Sequence, residues 1–92
     1  MRLVQPTDFD ILEALSAGKR NNAVNIAAIT EHDRSYINTR LPILADYGLI
    51  ERVGPASNSG LYVITELGKS AAENRDKYSK SKDNFERLLN EM

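Results

Sequence analysis

Between Arg34 and Arg40 the chain places six polar side chains in seven residues: Arg34, Ser35, Tyr36, Asn38, Thr39 and Arg40. These types can read nucleic-acid bases. Arginine bonds bidentately to guanine, asparagine to adenine, and threonine meets the thymine methyl or an edge acceptor. The plain alternative is a solvated helix face, and Arg40 could serve an intramolecular ion pair. Lys19, Arg20, Arg34 and Arg52 are candidate phosphate clamps, which position a protein without reading sequence. Arg52 could instead pair with Glu51 or Glu66. Ser57, Asn58 and Ser59 could bond phosphates or simply stabilise their own turn.

Catalytic chemistry finds little support. There is one histidine, His32, and no cysteine. Thiolate zinc sites and cysteine nucleophiles are therefore excluded. A titrating role for His32 is weighed against an exposed turn residue, and the turn reading is preferred. Asp8, Asp10 and Glu13 read as first-turn helix residues rather than an acid/base pair. Gly54 and Gly60 lie in a hairpin, not between a strand and a helix, so they make no phosphate-binding fingerprint. No enzyme site, metal or cofactor is expected.

The elements that must position these residues follow from the pattern. The 92 residues fit one small unit. Twelve Lys and Arg oppose thirteen Asp and Glu, for a net charge of −1, so nucleic-acid binding would need a local patch. No apolar run nears the roughly 18 residues of a membrane span, and the N-terminus lacks a signal-peptide apolar stretch. A cytoplasmic protein is expected.

Thr7 reads as the N-cap of a first helix carrying Ile11, Leu12 and Leu15 and ending at Gly18. A second, apolar helix spans 23–29, with Val24, Ala27 and Ala28 on one stripe. A polar turn, 30–33, precedes a third helix from about 34 to 47, capped by Asp33 or Ser35. At about 100° per residue, Ile37, Leu41, Leu44 and Ala45 share its buried face. Ser35, Tyr36, Thr39 and Asp46 face away, with Asn38 and Arg40 on the shoulders. Pro42 predicts a kink.

After Gly48 the period shortens. Residues 49–53 and 61–64 read as strands of a hairpin around GPASNSG, and Thr65 caps another helix. Ala71, Tyr78, Phe85 and Met92 then recur every seven residues, which predicts one long helix to Met92 with an apolar seam. Glu73 with Lys77, Asp76 with Lys80, and Asp83 with Arg87 are expected i, i+4 ion pairs.

Helix, turn, helix and hairpin in that order form a helix-turn-helix with a wing. The run Leu41-x-x-Leu44-x-x-x-Gly48-Leu49-Ile50-Glu51-Arg52 resembles the end of the recognition helix and first wing strand of winged helix-turn-helix regulators. Tyr62-Val63-Ile64-Thr65-Glu66-Leu67-Gly68-Lys69 resembles the second wing strand and the helix after it. The stretch from Asp33 to Gly60 resembles archaeal winged-helix proteins of the halophage phi-H repressor type. The resemblance covers residues 6–72. Two departures stand out. The wing has no Lys or Arg between residues 53 and 68, and haloarchaeal members are more acidic than this chain.

The expected fold is mainly α with a small β-hairpin: a winged helix-turn-helix DNA-binding domain over 1–72 and a long C-terminal dimerisation helix over 73–92. The resemblance implies a sequence-specific DNA-binding transcriptional regulator, a repressor, reading the major groove with residues 34–47. Double-stranded DNA and a second copy are the expected partners; Tyr78, Phe85, Leu88 and Met92 could pack back onto their own domain, but a dimer seam is preferred. No membrane and no small-molecule effector are expected. The rival is a winged-helix protein-interaction module without DNA binding, favoured by the near-zero charge and the uncharged wing.

Overall fold

The computed structural model describes residues 1–17, 20–54 and 60–91. The candidate contacts Lys19, Ser57, Asn58 and Ser59, and the seam residue Met92, lie outside the described residues. The described elements are α1 (Thr7–Leu15), α2 (Ala23–Thr30), α3 (Arg34–Asp46), β1 (Ile50–Val53), β2 (Leu61–Ile64), α4 (Glu66–Glu73), α5 (Arg75–Lys80) and α6 (Lys82–Asn90). The strands pair antiparallel, from Ile50 opposite Ile64 to Val53 opposite Leu61. Asn21 adds a bridge to the outer side of β2, giving and receiving backbone bonds with Tyr62 at 3.0 and 2.8 Å.

Local chemistry sets the helix starts. Asn22 caps α2 by accepting from the Asn25 N–H at 3.0 Å. Thr65 caps α4 by accepting from the Gly68 N–H, while its hydroxyl donates to the Gly48 carbonyl at 2.7 Å. Gly68 is obligatory: a Cβ there would strike the Leu49 carbonyl oxygen and the Ile64 side chain. Glycine thus lets α4 lie directly on the base of the hairpin.

Two expectations at the N-terminal end need correction. Thr7 is not the cap of α1; it is the first residue of the helix and buried, with Pro6 in the cap position. α2 buries Ala23 and Ile26, and of the Val24, Ala27 and Ala28 stripe only Ala27 packs on the core. Val24 is 47% exposed and Ile29 58%. The helix is too apolar all round for composition alone to choose its inner face. α3 matches the expected pattern, burying Ile37, Leu41 and Leu44 and running on through Pro42 to Asp46.

The largest correction is the tail. The single long helix is three helices, separated at Asn74 and at Ser81. Ser81 is extended (φ −158°, ψ 108°) and caps α6 through its side chain. The bends turn the apolar stripe inward. Tyr78, Phe85 and Leu89 are buried in one core with Phe9, Leu12 and Leu41. The Phe9, Tyr78 and Phe85 rings meet at centroid distances of 5.0–6.0 Å. The Tyr78 hydroxyl accepts from the Leu3 N–H at 3.0 Å and lies 3.1 Å from the Leu3 carbonyl, to which it donates. It thereby anchors the N-terminal arm.

The expected dimer seam is therefore overturned at Tyr78 and Phe85, which cover their own chain's core. Of the remaining seam residues, Leu88 stays half-buried.

Phe85→Ala should cost about 3–5 kcal/mol, the usual range for truncating a buried phenylalanine. Urea denaturation checks this, and the midpoint should not move with protein concentration. A midpoint that rises with concentration would place Phe85 at an intermolecular seam instead.

Candidate nucleic-acid interface

The outer face of α3 carries the candidate base-reading residues. Arg34, Ser35, Asn38 and Thr39 are exposed, and Tyr36 is 39% exposed. The opposite face of the same helix is sealed, with Ile37 and Leu44 at 0%. The Thr39 hydroxyl donates back to the Ser35 carbonyl at 3.1 Å, which leaves its methyl and lone pairs to a ligand. Among the described residues, neither the Arg34 guanidinium nor the Asn38 amide has a side-chain partner. Four polar side chains and one tyrosine thus stand together on a rigid element.

Arg40 does not belong to that set. Its Nε donates to Asp8 Oδ1 at 2.9 Å and its Nη2 to Asp8 Oδ2 at 2.7 Å. The Arg40 side chain is 12% exposed and that of Asp8 0%. Asp8 Oδ2 also accepts from the Val4 N–H at 2.7 Å. The Asp8 hydrogen bonds raise the pKa of the guanidinium further, burial opposing them. Arg40 is the intramolecular ion pair that the sequence left open, and its base-reading role is withdrawn.

The turn ahead of α3 is tied down in a related way. Glu31 ends α2 in the left-handed region at φ 60°. His32 is half-buried rather than exposed, with its Nε2 2.8 Å from Asp10 Oδ2. Asp10 also pairs with Arg75 at 3.1 Å, and Arg75 with Glu13 at 3.0 Å. Burial works against the charged form of Arg75, but the bonds and charges of Glu13 and Asp10 outweigh it and raise its pKa. The guanidinium lies 5.5 Å from the centre of the Phe9 ring. Asp8 and Asp10 are therefore positioning residues, a role the first-turn reading missed. The signal was available for Asp8: positions 8, 12 and 15 share a helix face, so Asp8 had to be buried beside Leu12 and Leu15.

Of the phosphate candidates, Arg20 and Arg52 are exposed. Arg52 donates to the Tyr62 hydroxyl at 2.7 Å and its guanidinium carbon lies 5.4 Å from the ring centre. This pins the side chain to the sheet. Among the described residues no group of three or more His, Asp or Glu is placed to hold a metal ion, and no helix is long and apolar enough to cross a membrane.

No protein-family model matches the chain, and no curated protein sequence matches it significantly. Solved structures do. Oxidized MarR from E. coli superposes with a TM-score of 0.64 at 18% identity, over 96% of this chain and 62% of that one. A Lactococcus lactis ZitR variant in complex with DNA gives 0.64 at 20% identity, over 98% and 63%. A second ZitR variant, in apo form, gives 0.62 at 22% identity, over 96% and 68%. The chain has the winged-helix fold. In that fold α2 and α3 are the helix-turn-helix, and β1 and β2 are the wing. The winged-helix chain spans roughly two thirds of the length of these neighbours.

The ion pair gives a direct test. Arg40→Ala leaves a buried carboxylate without its cation and should cost about 3–5 kcal/mol. Asn38→Ala, on the open face, should stay within about 0.5 kcal/mol of the parent. Urea denaturation of both variants decides, and a neutral Arg40→Ala would remove the ion pair from its structural role.

Proposed function

We propose that this chain is a sequence-specific DNA-binding transcriptional regulator that acts in the cytoplasm as a repressor, by occupying an operator and blocking access to it. The observation that carries the reading is the face of α3. A major groove about 12 Å wide admits one helix, and that helix reads base edges with residues of its N-terminal part. Ser35, Tyr36, Asn38 and Thr39 occupy that part and are exposed together. Arg34, at the first turn, is placed to meet a phosphate. The likeness to a ZitR variant solved with DNA supports the reading at the level of fold. So does the sequence resemblance to halophage phi-H repressor-like proteins.

The chemistry assigns separate roles. Asn38 bonds adenine, Thr39 meets a thymine methyl, and Ser35 takes either an edge or a phosphate. Arg40 holds the helix and does not touch DNA. One chain presents one such face, so the reading does not depend on a tail seam.

A second reading, a protein-interaction module, draws on the outer side of α2. Val24 and Ile29 stand exposed there beside Ala28. DNA binding separates the two. In a gel shift against the DNA upstream of its own gene, the chain should bind specifically. Asn38→Ala and Thr39→Ala should each weaken specific binding by about 1–3 kcal/mol and change binding to random DNA far less. Equal losses on both DNAs would make these residues phosphate contacts, and no binding to any DNA would favour the interaction module.

A further inference from the structure

The corner between α5 and α6 holds an open groove of about 370 Å³. Lys77 and Lys80 reach it from the last turn of α5 and Arg87 from α6. The sequence pairs each of these cations with a carboxylate four residues earlier, at Glu73, Asp76 and Asp83. None of those pairs forms. Among the described residues, Lys77, Lys80 and Arg87 have no ion-pair partner at all. A single carboxylate, Glu91, shares the groove with them.

The rest of the lining suits the same kind of guest. Ser81 accepts from the Asn84 N–H at 3.3 Å, which leaves its hydroxyl proton to donate. The Asn84 side chain lines the groove beside it, and half-buried Leu88 provides an apolar wall. Three cations facing one carboxylate concentrate positive charge on a chain whose net charge is −1. A second copy docking symmetrically here would bring like charges together. The size falls within the roughly 300–1,000 Å³ of small-ligand sites.

We propose that this groove binds a phosphorylated small molecule, its phosphate held by Lys77, Lys80 and Arg87 and its carbon skeleton lying on Leu88. Lysine serves as a point charge for phosphate and arginine as a two-pronged donor. The groove goes beyond the expectation of no effector. It also stands apart from the DNA reading, because α6 packs on α4 and α5 whereas α3 packs on α1, α2 and β1.

Calorimetric titration of the intact chain with inorganic phosphate and with phenyl phosphate tests it. Both should bind saturably, phenyl phosphate more tightly. The double variant Lys80→Gln with Arg87→Gln changes two exposed residues, so its unfolding midpoint should match the parent. Its affinity for both probes should fall about tenfold or more, as charge-assisted bonds are lost. Leu88→Ser should abolish the advantage of phenyl phosphate. Arg34→Gln, on the DNA-reading face, should change neither affinity. Absence of saturable binding, full binding by the double variant, or loss in Arg34→Gln would each overturn the proposal.

Discussion

The bidentate pair between Asp8 and Arg40 fixes how the winged helix presents its third helix. A carboxylate taken wholly out of water is tolerable only when paired and hydrogen-bonded. Asp8 meets that condition with two bonds from Arg40 and one from the Val4 N–H. The contacts of Ile37, Leu41 and Leu44 with the core supply most of the attraction between α3 and α1, but hydrophobic contact has no direction. The planar fork of the guanidinium does. Arg40 stands on a shoulder of α3, between its buried and exposed faces, so locking it to Asp8 sets the rotation of the helix about its axis. The outward stance of Ser35, Tyr36, Asn38 and Thr39 follows from that rotation.

A second set of contacts carries the constraint to the ends of the chain. Phe9, on α1, packs on Tyr78 and Phe85 from the tail helices. Arg75 sits over Phe9 and binds Asp10, the same residue that holds His32 in the turn before α3. Tail, first helix and helix-turn-helix turn therefore share one network. The N-terminal amine adds a bond to Glu86 of α6 at 2.6 Å. These connections explain why the tail folds back although its sequence repeats every seven residues. The heptad describes a stripe, and a stripe can cover a neighbouring α1 as well as a second copy.

Much of the fold was legible because its signals are local. The cap at Thr65, the change of period after Gly48 and the inward face of α3 each rest on a few adjacent residues. What was not legible depends on partners distant in sequence. Asp8 and Arg40 are 32 residues apart, and no local rule joins them. Asn74 and Ser81 break the tail because burying Tyr78 and Phe85 outweighs two turns of helix, which a propensity argument cannot see. For α2, Ile26 rather than Val24 turns inward because α1 and α3 decide the face. Of the candidate site, the exposed set on α3 was readable from angle alone, and Arg40 failed because a shoulder position serves either side.

The central claim is that one rigid face of α3 meets DNA while Arg40 stays locked inside. Amide chemical-shift mapping during titration with a duplex from upstream of the gene tests it most directly. The account predicts large, saturable shifts at Arg34, Ser35, Tyr36, Asn38 and Thr39, with the Arg40 side-chain Nε–H signal holding its Asp8-bonded position. Shifts confined to the outer side of α2 or to α5 and α6, or release of Arg40 from Asp8 on binding, would contradict it.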